Sequence, residues 1–190
     1  AGMRPELWWY VARATGLVAW GLVTATVVWG LGASSRILAG RPRPAWIVDL
    51  HRHLATLAVV FTGLHLTGLV ADDYVHFGPA ELLVPLASDW HPLAVAWGVA
   101  ALYLLVAVQA TSLAIHRLPR RAWRAVHRAA VALYPLVTGH ALATGSEAGN
   151  PAVRGFALAS LGLVTLLLAY RLLARRPSGH RRPARAADRG

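Results

Sequence analysis

Residues 50–65 read "LHRHLATLAVVFTGLH", and this stretch decides how the rest of the chain is interpreted. It is nearly all apolar, yet it contains His51, His53 and His65 together with Arg52. A run this apolar is typical of a membrane-spanning helix. An ionisable side chain inside a bilayer is costly, so it usually has a partner or a task. The stretch is therefore both a predicted span and a candidate functional site.

The whole chain has the composition of a multi-pass membrane protein. Of its 190 residues, 56% are hydrophobic and 14% are charged, and long apolar runs recur along most of its length. It contains no cysteine, which excludes disulfides, iron–sulfur clusters and thiol chemistry within this chain. The net charge is +11, and every basic residue is arginine. Most arginines lie in short loops and near the C-terminus, so membrane orientation explains the charge better than nucleic-acid binding does.

The apolar runs predict an all-α fold, a membrane helix bundle with five spans. Each span has about 20 residues or more, which at about 1.5 Å per residue crosses a hydrocarbon core of about 30 Å. Residues 1–174 form the predicted transmembrane domain, and residues 175–190 form a basic tail that is predicted to be disordered. The predicted spans are residues 7–31, 45–70, 91–115, 123–144 and 153–173.

Charge distribution predicts the orientation of the bundle. Arginine is concentrated between the first and second spans, between the third and fourth, and in the tail. The loop 71–90 has no arginine and carries Asp72, Asp73, Glu81 and Asp89. The positive-inside rule therefore predicts an N-terminus outside the cell membrane and a C-terminus in the cytoplasm.

Four of the nine histidines form a repeated pattern. His51 and His65 lie 14 residues apart on the second span, and His127 and His140 lie 13 apart on the fourth. "LHRHLATLAVVFTGLH" and "VHRAAVALYPLVTGH" share an early His-Arg pair, an apolar run, and Thr-Gly shortly before a second histidine. The two spans run in the same direction because one span separates them. We therefore expect His51 level with His127, and His65 level with His140.

Helical periodicity places the two histidines of the second span on nearly the same face, but not those of the fourth span. Fourteen residues return His65 to within about 40° of the face of His51, whereas thirteen leave His140 about 140° from the face of His127. Pro135 lies between the latter two, and proline disrupts or kinks a helix. We therefore expect a local distortion that turns His140 toward the shared side.

A neutral imidazole is a good ligand for iron. Two such pairs can each bind one haem iron from both sides, at two levels about 21 Å apart. The pattern thus predicts two b-type haems held between the second and fourth spans, forming an electron path through the bilayer.

Residues beside the predicted inner ligands have two possible roles. Arg52 and Arg128 either extend to the cytoplasmic interface or neutralise haem propionates. Asp49 can pair with Arg52 at helical spacing. His53 lies about 200° from His51, which favours a headgroup-level or supporting role over replacement of His51 as ligand. The histidines expected to be solvated are His76, His91, His116 and His180.

On these residues the chain resembles the ferric reductase-like transmembrane domain family. That family includes the membrane parts of ferric reductases and NADPH oxidases, and the haem-bearing membrane subunit of bacterial methionine sulfoxide reductase systems. The resemblance covers about residues 45–144 and rests on the two histidine segments together with Trp123. It implies that the four histidines are axial ligands of two haems b, paired as above, in a bacterial-type inner membrane.

The resemblance also implies partners. Family members commonly have six spans with the ligands on the third and fifth, so this chain departs from the pattern by one span. It contains no G-x-G-x-x-G after a strand, so we expect an oxidoreductase membrane component without its own flavin or nicotinamide domain. A separate flavin reductase, reduced flavin or a quinol is then the donor, and flavin comes only with that partner. The acceptor is a periplasmic or extracellular redox protein.

Two other functions compete with an electron carrier. The outer loop, with Asp72, Asp73 and His76, could attract Fe(III) as a direct substrate. A haem-free scaffold or small transporter is the other alternative. Nothing favours a transport path. Apart from the histidines, we expect no charged residue other than Arg52 and Arg128 to lie well inside a span.

Overall fold

The computed structural model describes residues 6–34, 45–72 and 77–173. The predictions for Asp73, His76, His180 and the tail lie outside these described residues. Within them the fold is all-α, with no strand, as the sequence predicts. The helices are α1 (Glu6–Ala33), α2 (Ala45–Ala71), α3 (Pro79–Leu83), α4 (Pro92–Leu113), α5 (Arg120–Ala129), α6 (Leu133–Thr144) and α7 (Pro151–Leu173).

Four of the described helices are long and apolar enough to cross a membrane, namely α1, α2, α4 and α7. The fourth predicted span, residues 123–144, is instead divided into α5, a 3₁₀ turn at Ala130–Ala132, and α6. Four of the five predicted spans are thus found as single helices, and the total of five stays a prediction.

Pro135 accounts for the division. It has no N–H, so it cannot donate to the carbonyl of Val131 four residues earlier, and the chain tightens into the 3₁₀ turn at this point. Three residues at about 120° rather than 100° rotate everything beyond them by about 60° relative to an ideal helix. His140 is thereby brought closer to the face of His127. The expected distortion is present, one turn before the proline.

The core lies where α1 packs against its neighbouring helices. α1 packs against α2, α6 and α7, while α4 packs against α5 and α6. Gly68 on α2 approaches α1 so closely that an added Cβ would lie 2.8 Å from the backbone nitrogen of Ala12. The buried apolar cluster that joins the helices consists of Val23, Val27, Leu31, Ala58, Ala101, Leu133, Tyr134 and Val164.

Hydrogen bonds between side chains connect α6 to its neighbours. Trp20 Nε1 on α1 donates to Thr138 Oγ1 over 3.0 Å. Tyr134 and Ser160 on α7 share a hydrogen bond of 2.8 Å between their hydroxyl groups. In apolar surroundings such bonds satisfy polar groups and orient the helices that carry them. They hold α6, and therefore His140, against α1 and α7.

Candidate functional site

The four predicted histidines come together in two pairs. The ring centroids of His51 and His127 are 6.0 Å apart, and those of His65 and His140 are 6.5 Å apart. Two imidazoles that bind one metal from opposite sides, with metal–nitrogen bonds of about 2.0 Å, have centroids about 6.4 Å apart. The centroid distances of both pairs lie within about 0.4 Å of this value.

Hydrogen bonds set the tautomer of the His65–His140 pair. His65 Nδ1 donates to the carbonyl of Ala12 on α1 over 2.7 Å, and His140 Nδ1 donates to the carbonyl of Ala94 on α4 over 2.8 Å. A carbonyl only accepts, so each Nδ1 carries the proton and each Nε2 keeps its lone pair. This tautomer leaves Nε2 free to bind a metal, and the carbonyl orients the ring.

The His51–His127 pair is held differently. His51 faces the backbone of Thr26, but its Nδ1 makes no hydrogen bond of standard geometry, and neither does Nδ1 of His127 among the described residues. The indole of Trp123 stacks on His127, with centroids 4.9 Å apart and planes at 21°. Packing, more than hydrogen bonding, orients this pair.

Glycines lie against three of the four rings. A Cβ added at Gly16 would lie 2.8 Å from His65 Nδ1, one at Gly98 would lie 2.8 Å from His140 Nδ1, and one at Gly30 would lie 3.2 Å from His51 Cε1. These glycines were not among the residues predicted from the sequence. The sequence does contain a pattern that could have indicated two of them: Gly16 and Gly30 are 14 residues apart on α1, the same spacing as His51 and His65 on α2.

A cavity of about 310 Å³ adjoins the His65–His140 pair. Its lining includes both histidines, Gly16, Gly98 and Trp20. The volume is at the lower end of the range of about 300–1,000 Å³ found for pockets that bind small molecules and cofactors. The chain thus provides mainly apolar space next to the His65–His140 pair, in which both Nδ1 atoms donate to backbone carbonyls.

Charged residues line the same cavity, and one of them, Arg13, differs from the expectation drawn from the sequence. Arg13 lies two turns inside α1, so the expectation that no further charged residue lies well inside a span is wrong. Its guanidinium forms an ion pair with Glu147 and lies 4.8 Å from the centroid of the Trp9 ring. Asp72 also lines the cavity and is 6% exposed.

Arg52 and Arg128 are exposed and make local contacts. Arg52 lies 3.9 Å from the Asp49 carboxylate, the pairing that the sequence predicts, and Arg128 Nε donates to the carbonyl of Arg124 over 3.0 Å. These contacts agree with the interfacial interpretation, and a role toward propionates stays a prediction. His53 is exposed on another face of α2, as expected.

A bare metal ion needs more protein side chains as ligands than a haem iron does. Across residues 6–34, 45–72 and 77–173, no group of three or more His, Asp or Glu side chains could hold a metal ion. His91 and His116 are exposed, in agreement with their predicted solvation. A haem iron already has four porphyrin nitrogens as ligands, so a pair of histidines suffices to complete its coordination.

The fold and the paired histidines define a multi-pass membrane protein with two candidate cofactor positions in one helix bundle. The family model described as ferric reductase like transmembrane component matches residues 6–138, and the chain belongs to this family. The matched range includes His51, His65 and His127 and ends two residues before His140. No curated protein and no solved structure gives a match.

Family membership confirms the resemblance drawn from the sequence and extends it to α1. It indicates transmembrane electron transfer, in a family whose membrane domains generally bind haem and work with redox partners.

Proposed function

We propose that this protein carries electrons across the membrane through two b-type haems, one bound by His51 and His127 and one by His65 and His140. The observation that carries the proposal is the ring spacing of 6.0 and 6.5 Å in two separate pairs. Each haem supplies a one-electron redox centre when bound.

The chain's own residues prepare these positions before any cofactor binds. At the His65–His140 level, carbonyls on α1 and α4 hold both rings as the tautomer that leaves Nε2 free for a metal. At the His51–His127 level, Trp123 restricts the ring of His127 by stacking. Preorganised ligands reduce the conformational entropy that is lost on binding.

The proposed direction of electron transfer follows from the distribution of arginine along the chain. We place the His51–His127 pair near the cytoplasm of a bacterial-type inner membrane, because the arginine-rich helix α5 carries one of these histidines. The donor at that level is a separate flavin reductase, reduced flavin or a quinol. The acceptor is a periplasmic or extracellular redox partner at the His65–His140 level, about 21 Å away along α2.

Haem quantitation per polypeptide on single histidine variants tests the proposal. The native protein, expressed with ample haem, is expected to bind two haems and to show a Soret band that shifts on reduction with dithionite. Replacing any one of the four paired histidines with alanine is expected to remove one haem. The single variants at the two members of a pair are expected to lose the same haem. His53→Ala is the matched control and keeps both. Purified native protein with no Soret band would refute the proposal and favour a haem-free scaffold.

Direct reduction of Fe(III) as substrate is a second candidate, supported by the position of Asp72. This buried carboxylate lines the cavity that adjoins the His65–His140 pair, and hard cations prefer oxygen ligands. Asp72→Asn is then expected to slow reduction of ferric iron and to leave reduction of a neutral dye unchanged. Equal rates with ferric iron in the variant and the native protein would exclude this role.

A further inference from the structure

Three of the four histidine rings lie against the same local arrangement of a helix backbone. A carbonyl faces the ring, and the residue four positions later is glycine. At His65 the set is Ala12 and Gly16, and at His140 it is Ala94 and Gly98, each with a hydrogen bond to Nδ1. At His51 the set is Thr26 and Gly30, and here Nδ1 makes no hydrogen bond of standard geometry with a described residue.

Helix geometry explains the interval of four. The carbonyl of residue i accepts the N–H of residue i+4, and the Cβ of residue i+4 leans toward the N-terminus, over that same carbonyl. A side chain at i+4 therefore occupies the space from which a second donor would approach. At Gly16 and Gly98 the added Cβ would lie 2.8 Å from the Nδ1 atom that makes the hydrogen bond.

Close helix packing by itself does not account for these glycines. At Gly68, which does serve packing, the three nearest atoms to an added Cβ all belong to Ala12, two of them in its backbone. At Gly16 the three nearest atoms all belong to the ring of His65, and at Gly98 all belong to the ring of His140. The space that these glycines leave is filled by an imidazole.

At the His51–His127 level neither Nδ1 makes a hydrogen bond of standard geometry in the part of the chain that the structure describes, although Gly30 lies against His51. On α4 the residue 14 positions after Gly98 is Ser112, where the spacing on α1 would place a second glycine. His127 Nδ1 has no hydrogen-bond partner within the described ranges, and Trp123 stacks on its ring instead.

We propose that Gly16 and Gly98 are positioning residues for the haem at the His65–His140 level. Each opens a helix carbonyl to the Nδ1 proton of an axial histidine. The hydrogen bond fixes the ring and raises the basicity of Nε2, which stabilises the ferric state. This inference rests on the proposed function.

Gly16→Ala, Gly30→Ala and Gly98→Ala are compared with Gly21→Ala in the haem-loaded protein. Gly21 is the matched control, because it lies on α1 and an added Cβ there meets nothing within 4 Å. The readouts are a potentiometric titration and low-temperature EPR, with the two haems assigned from the histidine variants.

Gly16→Ala and Gly98→Ala are each expected to move only the His65–His140 haem to a more positive potential. The ferrous-to-ferric ratio at fixed potential should rise at least tenfold, which is about 59 mV for one electron. Gly30→Ala, next to a ring without this hydrogen bond, leaves the His65–His140 haem unchanged, and Gly21→Ala moves neither haem. Loss of the targeted haem alone supports the inference in the same way.

Two results would overturn the inference. One is a native-like potential and EPR spectrum in both Gly16→Ala and Gly98→Ala, and the other is an equal shift of both haems in each variant. In either case the native protein still binds two haems, so the proposed function stands. If the native protein binds no haem, the proposed function fails and the inference fails with it.

Discussion

Replacing Thr138 with valine removes a hydrogen bond that joins α1 to α6 beside the cavity, and its contribution to stability can be worked out. Trp20 Nε1 donates to Thr138 Oγ1 over 3.0 Å. Trp20 is 4% exposed, and its ring packs edge-on against Phe156 with centroids 4.8 Å apart. Valine keeps the branched shape of threonine but offers no acceptor, so the indole N–H is left buried without a partner.

The expected cost combines two effects. A net hydrogen bond contributes about 0.5–1.5 kcal/mol, and a buried donor without a partner costs about 1–3 kcal/mol. Bonds between membrane helices lie near the low end, at about 0.6 kcal/mol on average. We therefore expect Thr138→Val to lower the free energy of unfolding by about 1–2 kcal/mol. In a Trp20→Phe background the N–H is gone, so the same change should cost less than about 0.5 kcal/mol.

A double-mutant cycle measures the difference. Reversible denaturant unfolding in detergent micelles, at equal haem loading, gives the four free energies of unfolding, and an unchanged m-value shows that the two end states are comparable. The expected coupling energy is about 1 kcal/mol. A coupling within about 0.3–0.5 kcal/mol of zero is what independent sites give, and it would refute the reasoning.

Three further predictions use other contacts. Gly68→Ala should destabilise by about 1–3 kcal/mol, because its Cβ would overlap the α1 backbone, whereas Gly63→Ala, with nothing within 4 Å, should not destabilise; equal unfolding midpoints would contradict this. Tyr134→Phe should cost about 0.5–1.5 kcal/mol in the same assay, because its hydroxyl bonds a serine on α7; an unchanged midpoint would show that the bond contributes nothing. The native chain has no cysteine, so an impermeant maleimide should label Ser146→Cys in intact cells and His116→Cys only after permeabilisation; the reverse pattern would invert the proposed orientation.

Much of the candidate site could be predicted because its signal is periodic. The spacing of 14 between His51 and His65 nearly closes a whole number of helical turns, so both face one side of any straight helix. The spacing of 13 between His127 and His140 does not, and it required a distortion that Pro135 made foreseeable. The exact form of that distortion, a 3₁₀ turn at Ala130–Ala132, depends on packing around the proline and could not be read from spacing.

By itself, the sequence determined the membrane class and the histidine segments, and its arginines predicted the orientation of the bundle. These properties depend on the length of apolar runs, on local periodicity and on charge counts. Only the tertiary structure decided which groups orient the paired histidines. His65 meets the carbonyl of Ala12 across 53 residues, and His140 meets that of Ala94 across 46. Contacts this distant in sequence depend on how neighbouring helices are aligned along their axes, and that alignment is set by close packing over the whole interface.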